Sequence, residues 1–382
     1  MAPALLFSGV VKKNMAGLAT RTPLVSICVP TFNGARFLRE CLDSALAQTC
    51  ADFEILVVDD SSGDNSAALA RDYARRFPRV RVHVNERNLG LVANWNRCVE
   101  LARGTWIKPL FQDDRLEPEC LARMLAAARA GELLVVTRRT IDFERGVTPA
   151  LRHAYEPFLS RHTLPGVFGG AARIDAPRFA ANMVERPKVN CIGEPSTLLL
   201  HRSAFERFGC FNPALVNLAG WELAARVAVH AGICYVDEPL VTIRVHAGSA
   251  TQVRAASRRF RVQVLDGLIV EHDMASAPVY EPARLAAAAQ RPPVDLQLRL
   301  VESARRAKRR ARRYAHDAFQ PDVRAPLEWE DAERRYPLLT AVPARSRATP
   351  LAAIMRGVRW ALPRRAGRAA TLVRPAMSAR PS

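Results

Sequence analysis

The sequence contains no apolar segment long enough to cross a membrane, because nowhere do about 18 uncharged apolar residues follow one another. A secretory signal is also missing. The first apolar stretch is short and precedes Lys12 and Lys13, whereas a signal peptide begins with charge and continues with roughly 7–15 apolar residues. We therefore expect residues 1–23 to form a flexible leader, and the chain to be cytoplasmic, either free or peripheral at the inner membrane face.

Cysteine motifs for metal or redox chemistry are missing as well. The eight cysteines form no CxxC pair. Several fall within apolar segments, a pattern typical of reduced, buried thiols in the cytosol. They are Cys28, Cys41, Cys50, Cys98, Cys120, Cys191, Cys210 and Cys234.

Acidic residues are scarce relative to basic ones, 37 against 56, which gives a net charge of +19. The excess is concentrated near the end, where residues 301–382 hold 19 Lys and Arg but only 7 Asp and Glu. We expect residues 276–382 to form a basic tail that is helical or partly disordered. Within it, residues 305–313 continue a helix, and residues 351–373 mix apolar side chains with arginines.

This basic tail has three interpretations. It can be solvated and carry no function, as charge runs often are. It can attach the protein to anionic lipid, because each basic residue near such a surface contributes about 1 kcal/mol. Nucleic acid is the least supported partner, because the tail has no recognisable reader motif and aromatic residues make up only 7% of the chain.

Apolar runs of strand length alternate with segments of helical period between residues 25 and 114. Predicted strands cover 25–30, 53–58, 80–84 and 106–111, and predicted helices cover 35–48, 66–77 and 92–102. Such alternation favours an α/β domain with a mostly parallel sheet, whose ligands gather at the carboxyl ends of the strands. We expect this domain to extend over residues 24–275.

Two acidic pairs, Asp59-Asp60 and Asp113-Asp114, stand at or just after the ends of predicted strands. Each pair could simply cap the turn or helix that follows, since Asp favours such positions. Two pairs at the same rim of a sheet would instead repel unless a cation or a hydrogen-bonding ligand lay between them. Carboxylate oxygens suit Mg²⁺ or Mn²⁺, which commonly bridge protein to diphosphate.

The sequence around these acids resembles the amino-terminal signature of the family 2 glycosyltransferases. The matching runs are VSICVPTFN from Val25, FLRECLDSALAQT from Phe37 and EILVVDDSSGD from Glu54, and the likeness extends over residues 24–250. Members of this family are GT-A enzymes that use nucleotide-sugar donors and usually invert the anomeric centre. The resemblance therefore implies a GT-A type α/β fold and a glycosyltransferase.

The resemblance also implies roles for the residues at the strand ends. Phe32 matches an aromatic position that packs on the donor base, and Asp60 matches the Asp that hydrogen-bonds that base. Asp113 and Asp114 match the motif for metal and sugar diphosphate, with Asp114 as the better ligand of Mn²⁺ or Mg²⁺. The implied donor-binding set is Pro30, Phe32, Asn33, Asp59, Asp60, Asn88, Asn94 and Asp113. Asn88 and Asn94 could equally belong to a turn and to a helix face without binding the donor.

Two family positions are changed in this chain. Phe111 stands where the metal motif usually begins with Asp, and Gly220 stands where an Asp normally deprotonates the acceptor. Because glycine cannot be a base, the candidates for this role are Glu222 and Glu194, and Glu194 could instead be an exposed loop carboxylate. His246 matches a terminal histidine that can be a further metal ligand, or it could be structural.

We expect an inverting transferase that moves a sugar from a nucleotide-sugar donor to a hydroxyl of a glycan or lipid-linked acceptor, in surface polysaccharide biosynthesis. The changes at Phe111 and Gly220 support an alternative. A non-catalytic relative would bind the nucleotide-sugar and act as a partner protein.

Overall fold

The computed structural model describes residues 22–187, 189–249, 252, 259–317 and 321–340. Most of the predicted leader, residues 1–21, and the arginine-containing segment 351–373 lie outside the described residues.

The first half of the chain builds the parallel part of a sheet. Its elements are β1 (Val25–Thr31), α1 (Ala35–Leu46), β2 (Phe53–Asp59), α2 (Ser66–Arg76), β3 (Val80–Val84), α3 (Leu91–Leu101) and β4 (Trp106–Pro109). β1 pairs in parallel with β2 on one side and with β4 on the other, and β3 extends the sheet beyond β2. The predicted strands and helices are confirmed here, with ends that differ by one or two residues.

The second half adds strands of both directions. Its elements are β5 (Arg115–Leu116), α4 (Cys120–Ala127), β6 (Leu134–Phe143), α5 (Pro149–Leu159), α6 (Leu164–Phe168), β7 (Arg173–Ile174), α7 (Ala176–Glu185), β8 (Leu198–His201), α8 (Arg202–Phe208), α9 (Ala219–Ala231) and β9 (Ile233–Val245). The sheet order is β3-β2-β1-β4-β8-β6-β9-β5, with β7 also paired to β9. A 3₁₀ turn, Pro195–Thr197, leads into β8.

Apolar side chains cover both faces of this sheet. Successive residues of a strand point to opposite faces, so Ile27 and Val29 of β1 join one apolar cluster while Cys28 joins the other. β2 is buried along its whole length. Near-continuous apolar runs are expected where helices flank a parallel sheet on both sides, and this explains why β1 and β2 show no polar alternation.

Residues beyond 260 form a helical layer on the same domain. After a π-helical turn, Arg261–Leu265, come α10 (Asp266–Ser276), α11 (Glu281–Ala289), α12 (Leu296–Ala315) and α13 (Ala325–Arg335). α11 packs on α7, and α12 packs on α10 and α13. The division predicted near residue 275 stays a prediction, but this packing argues against an independent tail before residue 340. No helix within the described ranges is both long and apolar enough to span a membrane.

The cysteines are free thiols, and six of the eight are buried. Burial raises the pKa of Cys191 and of Cys234 to about 11, so both remain protonated near neutral pH. The prediction that these thiols are buried is confirmed for six of the eight.

Candidate functional site

The loops after β1 and β2 bond to each other at the carboxyl edge of the sheet. Asn33 and Ser61 have positive φ angles, 48° and 61°. The N–H of Asn33 donates to Ser62 Oγ at 2.9 Å, and the N–H of Gly63 donates to Asn33 Oδ1 at 2.8 Å. Beside these bonds Phe32 leaves 46% of its surface exposed. An exposed ring on a rigid edge is a stacking surface for a planar ligand.

The first acidic pair holds these loops in place. Asp59 accepts hydrogen bonds from the N–H of Ser62 at 3.0 Å and from its hydroxyl at 2.6 Å. Asp60 accepts from the backbone N–H groups of Leu89 at 2.8 Å and Gly90 at 2.9 Å. Both carboxylates are almost fully buried. Asp59 therefore caps its own turn, while Asp60 fixes the loop that precedes α3.

Three asparagines extend the network around Asp60. Asn85 donates from Nδ2 to Asp60 Oδ1 at 2.8 Å and to Asn94 Oδ1 at 2.9 Å. Asn94 in turn donates to the carbonyl of Val58 at 3.0 Å, and Asn88 donates to the carbonyl of Asp60 at 3.1 Å. Asn94 is buried, so it supports the loop, whereas Asn88 is exposed and can meet a ligand.

The two carboxylates of the second acidic pair have different environments, because Asp113 is partly exposed and Asp114 is buried. Asp113 Oδ2 lies 3.1 Å from His246 Nε2, and the Asp113 side chain is 19% exposed. The His246 ring packs on Phe37 at a centroid distance of 4.6 Å, which fixes its orientation. β9 ends at Val245, so the end of this strand carries the histidine to the acidic loop that follows β4.

Asp114 points into the protein. Ser196 Oγ donates to Asp114 Oδ2 at 2.5 Å, and the N–H of Arg244 donates to Asp114 Oδ1 at 3.1 Å. Burial raises the pKa of Asp114 well above its usual range, and the neighbouring Asp113 charge adds to this. The sequence favoured Asp114 over Asp113 as the metal ligand, but this geometry favours Asp113.

The donor atoms at this edge suit a divalent ion that also binds a diphosphate. No group of three or more His, Cys, Asp or Glu side chains that could hold a metal occurs among the residues that the structure describes. Asp113 and His246 supply one carboxylate and one imidazole. Mg²⁺ is usually held by one or two carboxylates and completes its shell with substrate phosphates and water, and Mn²⁺ takes the same oxygen ligands. The pair therefore fits such an ion, with Asp114 held outside the set.

Of the two residues just before the second acidic pair, the sequence pointed to Phe111 but not to Gln112. The Gln112 amide accepts from the N–H of Phe32 at 2.9 Å and donates to the carbonyl of Phe32 at 3.1 Å, which connects the loops after β1 and β4. Phe111 stacks on Trp95 at 4.7 Å, and Trp95 meets Phe211 at 5.2 Å. The family's usual Asp is thus replaced by an aromatic residue that belongs to an apolar cluster.

The 3₁₀ turn Pro195–Thr197 packs against the loop after β4. The N–H of Phe111 donates to Ser196 Oγ at 3.0 Å, and the buried Lys108 ammonium donates to the Ser196 carbonyl. Just before the turn, Glu194 Oε2 lies 2.7 Å from Arg139 Nε, and the Glu194 side chain remains 31% exposed. The turn therefore connects a partly accessible carboxylate to the loop that carries Asp113.

Gly220 packs directly against this turn. A Cβ atom placed on Gly220 would lie 2.3 Å from Pro195 Cγ and 2.9 Å from Pro195 Cδ. Carbon atoms do not approach so closely, and so any side chain at this position requires the turn to move. The absence of the family's Asp is consequently coupled to the presence of Pro195 beside Glu194.

Glu222 lies in a closed polar cluster. Arg226 donates from Nε to Glu222 Oε1 at 2.9 Å and from Nη2 to Oε2 at 3.0 Å, and Tyr280 Oη donates to Oε1 at 2.6 Å. Glu222 is only 2% exposed. Its carboxylate neutralises Arg226 and joins α9 to the helices that follow. The sequence offered Glu222 as a base, whereas this arrangement favours a structural role.

Comparison with known proteins identifies the family. The profile described as Glycosyl transferase family 2 matches residues 26–209. The PGL/p-HBAD biosynthesis glycosyltransferase of Mycobacterium bovis is 30% identical over 225 residues, which cover 59% of this chain and 74% of that protein. This chain belongs to the family 2 glycosyltransferases. The predicted family and enzyme class are confirmed, and so is the predicted GT-A type α/β fold with its mostly parallel sheet.

Two further relatives match with lower identity or coverage. The chondroitin synthase of Escherichia coli is 36% identical over 127 residues, which cover 32% of this chain and only 18% of that protein. The mannosyltransferase PcManGT from Pyrobaculum calidifontis was solved with GDP-Man and Mn²⁺; it aligns at a TM-score of 0.49 and 16% identity, over 87% of this chain and 89% of that chain. The roles of individual residues in this glycosyltransferase stay predictions.

A side chain at position 220 should destabilise the enzyme. Gly220→Ala and Gly220→Asp should each lower the free energy of unfolding, measured with urea, by about 1–3 kcal/mol, the usual effect of overpacking. Neither variant should gain activity. Pro195→Ala removes the two clashing atoms, so adding it to Gly220→Ala should recover part of the loss. A stable Gly220→Asp variant with increased transfer would contradict this account.

Glu222→Gln should affect stability more than chemistry. Breaking a buried ion pair usually costs about 3–5 kcal/mol, whereas Tyr280→Phe should cost nearer 1 kcal/mol because only one hydrogen bond is lost. Unfolding by urea measures both values, and transfer per folded molecule should stay within about tenfold of the parent. A loss of transfer near 10²–10⁴ with unchanged stability would instead identify Glu222 as the base.

Proposed function

We propose that this glycosyltransferase moves a sugar, with inversion, from a nucleotide-sugar donor to a hydroxyl of a glycan or lipid-linked acceptor in surface polysaccharide biosynthesis. The observation that carries the proposal is the partly exposed Asp113 carboxylate, paired with the buried His246, at the same sheet edge as the exposed Phe32 ring. The likeness to a chondroitin synthase supports a polysaccharide product.

The donor would lie across the loops after β1, β2 and β4. Phe32 offers its ring to the base, and Asn33 and Asn88 offer exposed amides beside it. Asp60 is the residue that shapes this surface, because its carboxylate fixes the backbone of the loop at Leu89 and Gly90. Pro30, Asp59 and Asn94 contribute from behind, through packing and hydrogen bonds to the same loops.

Asp113 and His246 would hold Mn²⁺ or Mg²⁺ against the donor diphosphate. When bound, such an ion stabilises negative charge on the departing diphosphate. The contribution of this chain is to fix both ligands in advance. Phe37 supports the imidazole ring, while Ser196 and the Arg244 backbone turn the second carboxylate of the motif inward.

Glu194 is the carboxylate best placed to serve as the general base. It would accept the proton of the acceptor hydroxyl as that oxygen bonds to the anomeric carbon and the bond from this carbon to the diphosphate breaks. Attack from the face opposite the leaving group inverts the configuration. Arg139 holds Glu194 at 2.7 Å, so the acceptor would have to approach beside this ion pair.

Replacing Asp113 should remove the metal-dependent part of nucleotide binding. In the parent, a nucleoside diphosphate should raise the melting temperature, and Mn²⁺ should increase the shift. Asp113→Asn should abolish the increase due to Mn²⁺, while Asp114→Asn should keep it. Asp72→Asn on α2 removes an exposed carboxylate remote from this edge and serves as the control. Loss of the Mn²⁺ effect in Asp114→Asn alone would restore the original assignment.

Glu194→Gln should keep nucleotide binding but reduce transfer by about 10²–10⁴. The matched control is Glu132→Gln, because Glu132 also pairs with an arginine Nε at 2.7 Å, that of Arg173, away from the cleft. Equal transfer rates in the two variants would contradict the assignment of Glu194. Nucleotide binding without transfer in the parent, for every donor tried, would favour the non-catalytic alternative.

The exposed face of α12 is a candidate membrane contact. This helix buries Leu300, Ala304, Ala307 and Ala311 against its neighbours. The opposite side exposes six arginines, and Lys308 beside them pairs with Glu333 of α13 at 2.9 Å; the arginines are Arg305, Arg306, Arg309, Arg310, Arg312 and Arg313. Such a folded basic face suits anionic headgroups. Nucleic acid stays the least supported partner, since this face presents cations without exposed aromatic residues between them.

Neutralising this face should weaken binding to anionic vesicles. Three arginines near an anionic surface contribute about 3 kcal/mol, so losing them should weaken binding near 100-fold. Flotation with phosphatidylglycerol vesicles would compare Arg305→Gln, Arg309→Gln and Arg312→Gln, combined, with the control triple Arg71→Gln, Arg75→Gln and Arg76→Gln. Added salt should weaken the parent's binding. Equal flotation of the two triples would remove the membrane assignment.

A further inference from the structure

A cavity of about 260 Å³ lies next to Glu194, between β6, β9 and the turn before α6. It opens where the pairing of β6 with β9 shifts register twice, between Thr137 and Arg139. Such irregularities bend a strand and redirect its side chains, and they often occur beside active sites. The register shift therefore shapes the part of the cavity formed by the sheet, and residues 163–166 with Ser160, Cys191 and Ile192 complete its lining.

The polar lining of this cavity consists of paired charges and hydroxyl groups. Arg138 Nε lies 3.5 Å from Asp237 Oδ1, and Tyr235 Oη donates to the same oxygen at 3.2 Å. Thr137 and Thr163 add hydroxyl groups to the lining. Hydrogen-bond donors and acceptors thus stand side by side, with positive charge offset by carboxylates.

This arrangement suits a ligand whose groups both donate and accept hydrogen bonds. Sugar hydroxyls do both and carry no charge, whereas the negative charge of a phosphate would be repelled by Asp237. Leu164, Pro165 and Ile192 provide apolar surface for the ring carbons. Pockets for drug-sized ligands measure about 300–1,000 Å³, so the cavity is of a size for a single ring.

One side chain in the cavity lining, that of Arg139, also contacts the proposed base Glu194. Arg139 lines it and at the same time holds Glu194 at 2.7 Å. Cys191 and Ile192, also in the lining, directly precede the Gly193-Glu194 segment. A ligand in the cavity would therefore contact the guanidinium group that positions Glu194.

We propose that this cavity binds one neutral pyranose ring of the acceptor glycan. The inference rests on the proposed function, because it takes the side of the cleft at Glu194 as the acceptor side. It goes further in naming the ligand class and the recognising residues. Arg138 and Asp237 bind ring hydroxyls, and the guanidinium group of Arg139 contacts the ring beside Glu194.

Ligand-detected NMR with the methyl pyranosides of glucose, galactose, mannose and N-acetylglucosamine tests this directly in the full chain. At least one should bind the parent, and Arg138→Gln or Asp237→Asn should weaken it about tenfold, the usual effect of a lost hydrogen bond. Arg76→Gln and Asp72→Asn are the matched controls and should bind like the parent. Their side chains are similarly exposed, at 54% and 42% against 51% and 58%, and pair at a similar 3.4 Å.

The results separate this inference from the proposed function. A parent that binds nucleoside diphosphate but none of the four pyranosides, or variants that bind as well as the controls, would overturn the acceptor pocket alone. Competition by inorganic phosphate for the bound pyranoside would overturn it too, because the site would then select anions. A parent that binds no nucleotide would overturn the proposed function instead.

Discussion

The hydroxyl of Ser196 connects the Glu194 side of the candidate site to the acidic loop after β4, and the placement of Asp113 and Asp114 depends on it. It donates to Asp114 at 2.5 Å and accepts from the N–H of Phe111 at 3.0 Å, while the carbonyl of Ser196 accepts from buried Lys108. Buried polar groups such as these are costly to leave without hydrogen-bond partners. The turn is therefore tied to the loop after β4.

Several departures from the family pattern follow from this connection. With Asp114 held by Ser196, Asp113 is the carboxylate left facing the cleft and His246. Because Pro195 lies next to Ser196 in the turn, α9 can pack against the turn only if residue 220 has no side chain. In the function we propose, the role of the missing Asp goes to Glu194, which directly precedes this turn. Glu222 is unavailable because Arg226 and Tyr280 already use its oxygens.

The sequence was sufficient to predict the strands in the first half of the chain and the sheet edge at which the candidate site lies. Apolar runs and helical periods are local, so β1 to β4 and their helices could be placed within two residues. The sequence could not predict that Asp114 points inward while Asp113 stays partly exposed, because this difference depends on Ser196, which is 82 positions from Asp114. The same holds for Glu222, whose partner Tyr280 is 58 positions away, and for the cavity, which arises from a register shift.

The location of a bound metal tests this account most directly. Crystals grown with a nucleoside diphosphate and Mn²⁺ would give an anomalous difference peak for the ion. We expect the peak within about 2.0–2.3 Å of an Asp113 oxygen, by analogy with the short bonds of small divalent ions, with Asp114 still accepting from Ser196 Oγ. An ion coordinated by Asp114, with its bond to Ser196 broken, would contradict the account.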